Sequence, residues 1–217
     1  DFYPLFIAAS GGQQLVEDGT SQFNNEAGQA AAGLWAQMYE RGLTPKENYT
    51  GDSFGDQVAA MSIVGPWAIA VYGDKVNWGV APVPTPDGVP AEEVSTFSDE
   101  KSVGMFTACE NRGTAWDYLK FTTGEDADGQ LLEMTGQMPM RDELPTTYQD
   151  YFAANPAYEV FADQAARTVE VPNVPNSIEM WQSFRDAYSK AVIFGEGDLP
   201  TALDDAAETI DGLVAGN

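Results

Sequence analysis

Histidine is absent from the 217 residues, and cysteine occurs once, as Cys109. Without histidine, Ser-His-Asp triads and Cys-His dyads are excluded, and zinc sites lose their commonest ligand. A single cysteine cannot form a disulfide within the chain, and we expect Cys109 to be a buried apolar side chain. The sequence also lacks a Walker loop, a dinucleotide fingerprint and EF-hand spacing. These absences predict a protein that is not an enzyme and that needs no cofactor or metal.

Basic residues are scarce, because 10 lysines and arginines stand against 34 acidic residues and give a net charge of −24. Such a surface repels phosphate backbones, so we expect no nucleic-acid binding. The acidic residues are scattered in pairs such as Glu92-Glu93 and Asp204-Asp205, which is typical of a solvated surface. No apolar run reaches the length of a membrane span, and the first residues lack the basic start of a signal peptide. We therefore expect a mature or cut piece of a longer protein.

The stretch around Trp67 is the most informative in the chain. The apolar run Met61–Val64 predicts a buried strand, and Gly65 and Pro66 end it immediately before the indole. In α/β folds, ligands commonly bind on the loops at the carboxyl ends of strands. Trp67 is therefore a candidate stacking platform, although a tryptophan that fills the core fits the same pattern.

Strand and helix patterns alternate in the first two thirds of the chain, which predicts an α/β fold, and only helices are predicted after Pro139. The predicted strands are 61–64, 77–84 and 102–108. The predicted helices are 27–39 with Asn24 or Asn25 as cap, 52–60, 111–123, 125–134, 147–153, 158–167, 178–192 with a capping box from Asn176 to Glu179, and 199–213 with Asp198 as cap. A tight turn is predicted at Ser10-Gly11-Gly12.

Aromatic residues beside polar ones suggest what the chain binds. Sugars present apolar C–H faces with a rim of hydroxyls, so their sites combine flat rings with polar side chains that hydrogen-bond the hydroxyls. Trp67, Trp181, Asn173 and Arg167 fit that mixture. A glycoside hydrolase would use paired carboxylates instead, but 34 acidic residues produce such pairs by chance.

Several motifs occur in an order that resembles the sugar-binding proteins of ABC importers, solute-binding family 1. The early ones are Phe2-Tyr3-Pro4-Leu5 with Gly11-Gly12, Ala59-Ala60-Met61 leading to Gly65-Pro66-Trp67, and Trp78-Gly79-Val80 with Pro82 and Pro84. The later ones, Pro172–Asn176 followed by Trp181 and the helix with Leu203, Ala206 and Ile210, are similar to the carboxyl-terminal part of maltose- and trehalose-binding proteins.

The resemblance implies a periplasmic-binding-protein-like fold of two α/β lobes that close on a sugar by hinge motion. It implies that the chain is mostly the carboxyl-terminal lobe, built from residues 1–81 and from 124–217 with its helical last third. Residues 82–123 would cross back to an amino-terminal lobe that is mostly missing or present as a separate chain. The crossing segment would then expose a strand edge and apolar surface.

The resemblance also implies which residues bind the ligand. Trp67 and Trp181 would stack on sugar rings, with Tyr3 close to them. Gly65, two residues before Trp67, would belong to the same binding segment. Arg167 would contact the sugar, and Phe97 lies in a loop that carries a stacking aromatic in some relatives. Ser98-Asp99-Glu100 departs from the glycines usual in that loop.

The expected function is therefore capture of a di- or oligosaccharide of the maltose or trehalose type outside the cytoplasm, and its delivery to the transmembrane subunits of a permease. Two alternatives remain. The negative surface would suit a cation such as a polyamine, with Asp99 or Glu100 lining the cleft and with strong salt dependence. A glycoside hydrolase or accessory domain is the other alternative.

Overall fold

The computed structural model describes residues 2–85, 88–98 and 101–216. The helices are α1 Phe2–Ala9, α2 Glu26–Glu40, α3 Ala68–Tyr72, α4 Arg112–Thr122, α5 Glu125–Thr135, α6 Leu144–Thr147, α7 Gln149–Ala154, α8 Ala157–Ala165, α9 Ser177–Tyr188 and α10 Leu199–Val214. A 3-10 turn spans Ala91–Glu93, and a π-helical segment, Ser189–Ile193, extends α9. The strands are short: β1 Val16–Glu17, β2 Thr20–Ser21, β3 Thr96–Phe97 and β4 Thr168–Val169.

The chain forms two compact units. The first unit comprises Asp1–Ile63, Val83–Ser98 and Arg167–Asn217, and the second comprises Val64–Pro82 and Asp99–Ala166. Each unit is therefore assembled from segments that are distant in sequence.

The core of the first unit lies among α1, α2, α9 and α10. Its fully buried side chains include Phe6, Phe23, Phe184 and Ile210. The long helices begin where their caps predict, because the Asn25 side chain accepts a hydrogen bond from the Gly28 amide and Asp198 caps α10.

Two small strand pairs complete the first unit. Strands β1 and β2 form an antiparallel hairpin, and positive φ angles at Asp18 and Gly19 are those of a two-residue primed turn. The Asp211 carboxylate accepts a hydrogen bond of 2.7 Å from the Ser21 amide and so joins this hairpin to α10. Strands β3 and β4 pair in parallel, with Thr96 opposite Thr168, and join segments that are far apart in the chain.

The second unit has a smaller core of Leu132, Leu144, Phe152 and Tyr158. Helix α5 ends at Gly136, whose φ of 72° places it in the left-handed region.

Most predicted helices are confirmed, but three predicted strands and one helix are wrong. Residues 61–64, 77–84 and 102–108 contain no strand, and Met61 is 80% exposed. The physical reason is that a strand needs a neighbour to pair its backbone, and an apolar run does not supply one. Residues 52–60 form turns instead of a helix, with the Asp52 carboxylate accepting bonds from the amides of Phe54 and Gly55.

Three local predictions in the chain also need correction. Asn176 does not form a capping box, because its φ of 53° turns its side chain away and its amide donates to the Leu213 carbonyl at 2.8 Å. The last third does contain a strand, β4. Cys109 is half-buried instead of fully buried.

Candidate functional site

Tyr3, Phe97 and Trp181 meet in the first unit and form what we term the aromatic cluster. The ring of Tyr3 makes edge-to-face contacts with both others, with centroid distances of 5.0 Å to Phe97 and 4.9 Å to Trp181. Tyr3 is 5% exposed, whereas Phe97 and Trp181 are partly exposed. The rings of Phe97 and Trp181 are therefore partly open to solvent, and both pack against the buried ring of Tyr3.

Three distant segments place these rings. Tyr3 comes from α1, Phe97 from β3 and Trp181 from α9. The position of Phe97 follows from the parallel pairing of β3 with β4, in which the Ser98 amide donates to the Val169 carbonyl at 3.0 Å. Burial raises the pKa of Tyr3, and a hydrogen bond to the backbone of Leu15 partly opposes that rise. Tyr3 therefore stays neutral at physiological pH.

Two predicted polar ligands lie on the same unit. Arg167 immediately precedes β4, and its Nε donates to the Val94 carbonyl at 3.3 Å. The Thr96 amide donates to the Arg167 carbonyl at 3.0 Å, so the backbone of this arginine belongs to the β3-β4 pairing. Asn173 lies in the following loop with an exposed side chain.

Trp67 and Gly65 belong to the second unit. Trp67 directly precedes α3, and its indole is 47% exposed, so it does not fill the core of that unit. A Cβ atom at Gly65 would lie 2.8 Å from the indole Nε1, closer than real contacts allow. Gly65 is thus required for the observed position of the indole.

Within each unit, the structure places some of the predicted site residues next to one another. Tyr3, Phe97 and Trp181 are in contact, and Gly65 contacts Trp67. Asp99 lies outside the described residues. Within the described part of the chain, no group of three acidic or cysteine side chains could hold a metal ion.

Sequence reasoning missed Arg185, whose guanidinium carbon lies 5.8 Å from the centroid of the Trp181 ring. The two residues stand four apart on α9, and that spacing places side chains on one helix face. The spacing of four residues between Trp181 and Arg185 in a predicted helix could have indicated this contact from the sequence.

Comparison with solved structures identifies the fold. The sugar-binding protein MalE of Xanthomonas citri aligns with 100% of this chain at a TM-score of 0.79 and 20% identity. The cyclic alpha-maltosyl-1,6-maltose binding protein of Arthrobacter globiformis aligns with 100% of it at a TM-score of 0.78 and 20% identity. At this identity the likeness shows the fold, which is that of the periplasmic solute-binding proteins.

The sequence places the chain in a family. The family model described as bacterial extracellular solute-binding protein matches residues 1–160. The chain therefore belongs to this family of bacterial extracellular solute-binding proteins. It is 26% identical to the galactooligosaccharide-binding protein of Bacillus subtilis over 199 residues, which are 88% of this chain. The similar proteins are named for binding and not for catalysis.

The chain spans about half the length of the proteins it matches: 46% of the Bacillus subtilis protein and 56% of the Xanthomonas citri structure. Among the described residues, no helix is both long enough and apolar enough to cross a membrane.

Proposed function

We propose that this chain forms part of a solute-binding protein that captures a di- or oligosaccharide outside the cytoplasm and delivers it to the permease of an ABC importer. The proposal is supported by the family and by the saccharides in the names of three similar proteins. More specifically, we propose a saccharide of the maltose or trehalose type. The protein would act in the periplasm or anchored to the outer face of the cell membrane.

The observation that carries the proposal is the exposed indole of Trp67. An aromatic side chain of this size normally lies in a core or a binding site, because its apolar surface is costly to expose. Here the indole is half-exposed, and its Nε1 edge lies so close to Gly65 that any larger residue there would clash with it. A fixed, flat, exposed ring matches the apolar C–H face of a sugar.

The aromatic cluster adds a second candidate contact surface, on the first unit. Phe97 and Trp181 would stack on sugar rings, with Tyr3 holding both in place. Arg167 and Asn173 would hydrogen-bond hydroxyl groups, since both are polar and lie in the segment that leads to α9. Asp99 is proposed as a further polar ligand.

The net charge of −24 favours one competing ligand class, a polyamine or similar cation. The two classes differ in salt dependence. Stacking and neutral hydrogen bonds change little with ionic strength, whereas pairing between exposed charges is screened.

The experiment is isothermal titration calorimetry with maltose, trehalose, maltotriose, a galactooligosaccharide and spermidine, at low salt and near 1 M salt. We expect saturable binding of one saccharide with similar affinity at both salts. Binding of spermidine alone, lost at high salt, would replace the sugar proposal with the cation alternative. Release of monosaccharide during the titration, detected by chromatography, would indicate a hydrolase.

A further inference from the structure

The loop between α2 and α3 contains an acceptor pattern for an N-linked glycan. In Asn48-Tyr49-Thr50, an asparagine is followed by a residue other than proline and then by threonine. Among the eight asparagines that have two residues after them in this sequence, only Asn48 fits the pattern. Such a tripeptide also arises by chance in a chain of this length, so its place in the structure decides whether it can serve as an acceptor.

The surroundings of Asn48 in the chain are open to solvent. Residues 45–52 are all exposed, and none of them lies in a helix or a strand. A transferase must bind the acceptor segment in its own active site, and a segment whose backbone is paired in a helix or a sheet is not available for that. An exposed loop leaves both the backbone and the side chain of Asn48 accessible.

The carboxamide of Asn48 differs from those of several other asparagines. The side-chain nitrogens of Asn24, Asn25, Asn155 and Asn176 donate hydrogen bonds of 2.6 to 3.1 Å within the protein. In the part of the chain that the structure describes, the side chain of Asn48 makes no hydrogen bond. Its nitrogen can therefore be taken up by a transferase without breaking a contact of the folded chain.

The central residue of the tripeptide, Tyr49, fixes the loop. Its hydroxyl donates to the Asp56 carboxylate at 3.2 Å. A Cβ atom at Gly51 would lie 3.0 Å from that carboxylate and 3.2 Å from the Tyr49 ring, so the backbone packs closely here. Asn48 and Thr50, which define the acceptor pattern, take no part in this contact.

We infer that Asn48 is a modification site, at which a membrane-bound transferase attaches an oligosaccharide through the side-chain nitrogen. An acceptor in an exposed loop of an exported chain is the setting in which N-linked glycans occur. The family to which the chain belongs is extracellular. The inference rests on the extracytoplasmic location in the proposed function and is independent of the ligand.

The reaction is a group transfer from an oligosaccharide that is carried on a lipid phosphate. The bond that forms joins Nδ2 of Asn48 to the anomeric carbon of the first sugar, and the bond that breaks joins that carbon to a phosphate oxygen. The lipid phosphate leaves with the electron pair of the broken bond, and one Nδ2 proton passes to the transferase. Thr50 is recognised by the transferase and receives no sugar.

The test is peptide mass spectrometry of the protein purified from the extracytoplasmic fraction of its native cells. Trypsin cleavage after Lys46 and Lys75 gives peptide 47–75, in which Asn48 is the only asparagine. We expect most of this peptide to carry an added oligosaccharide mass. The same chain made in the cytoplasm of a host without such a transferase supplies the unmodified reference mass.

Peptide 168–185 is the internal control. It contains Asn173 and Asn176, which are exposed but lie outside the acceptor pattern, so this peptide should stay unmodified. Added mass on both peptides would overturn the inference, because the pattern would then not direct the modification.

Unmodified peptide 47–75 in the extracytoplasmic protein would overturn the inference and leave the proposed function standing. Recovery of the protein from the cytoplasm alone, with an unmodified peptide, would contradict both the inference and the proposed location.

Variants expressed in the native cells identify the attached atom. Asn48→Gln and Thr50→Ala should each lose the added mass, whereas Thr50→Ser should keep it because serine also completes the pattern. Ser53→Ala is the matched control and should keep it, since its hydroxyl lies outside the pattern. Asn48→Gln should fold like the parent chain, because the side chain is exposed. Loss in Thr50→Ala with retention in Asn48→Gln would place the sugar on the Thr50 hydroxyl and overturn the inference.

Discussion

Replacing Trp67 with alanine should lower saccharide affinity about tenfold without unfolding the protein. The indole is 47% exposed, which corresponds to about 120 Å² of a side chain of roughly 250 Å². A sugar ring stacked on one face would cover about half of that area, or ~60 Å². At about 25 cal/mol per Å², the lost contact is worth ~1.5 kcal/mol, which is roughly a factor of ten in Kd.

Two further variants sharpen this test. Gly65→Ala should also weaken binding severalfold, because the new Cβ would lie 2.8 Å from the indole Nε1 and must displace the ring. Leu43→Ala is the matched control, since it removes an exposed apolar side chain from the surface of the first unit and should leave affinity unchanged.

The assay for these variants is isothermal titration calorimetry, with thermal unfolding followed by circular dichroism. The buried half of the Trp67 side chain, about 130 Å², is worth roughly 3 kcal/mol, so Trp67→Ala should lower the Tm by several degrees and still fold cooperatively. A folded Trp67→Ala variant that binds with parental affinity would refute the reasoning and remove Trp67 from the site.

Three other predictions concern stability. Tyr3→Ala should lower the free energy of unfolding by about 3–5 kcal/mol in urea titrations because it empties a buried aromatic position, whereas Tyr3→Phe keeps the ring and should cost far less. Gly136→Ala should destabilise the protein far more than Gly195→Ala. Both glycines have a positive φ, but of the two only Gly136 has a neighbour, the Tyr158 hydroxyl, that a new Cβ would meet. Equal urea midpoints for the two variants would contradict this prediction. Asp198→Ala should lower the Tm at neutral pH because the Asp198 carboxylate caps α10 and accepts hydrogen bonds from the amide and the hydroxyl of Thr201. These bonds lower the pKa of Asp198, so the difference in Tm between variant and parent should vanish as pH falls through that pKa. A constant difference at every pH would exclude the cap as its source.

The helices could be predicted because their signals are local. Caps such as Asn25 and Asp198 and the apolar spacing along α10 act within a few residues of one another. Asn176 was mispredicted as a capping box because its amide finds the Leu213 carbonyl, a partner that no local pattern reveals.

Strands could not be predicted in the same way, because pairing is made with residues far along the chain. The run Met61–Val64 has the composition of a strand and is not one, whereas the short strand Thr96–Phe97 exists only because β4 lies beside it.

The candidate site also depends on contacts between distant segments, which local sequence patterns do not predict. Tyr3, Phe97 and Trp181 are brought together by packing between α1, β3 and α9, and no spacing in the sequence indicates that contact. Their proximity was suggested only by resemblance. For Trp67 the sequence leaves two interpretations open; the half-exposed side chain is not part of the core of the second unit, and its role as a stacking platform stays a prediction.

The most direct test of the sugar-site proposal is a nitrogen-proton correlation spectrum of the five tryptophan indoles, recorded during titration with the saccharide panel. Trp→Phe variants would assign each signal. We predict that the signals of Trp67 and Trp181 shift saturably with one saccharide, while the signal of Trp116 on α4 stays in place. Saturable binding that leaves the signals of Trp67 and Trp181 unmoved would contradict the proposed site.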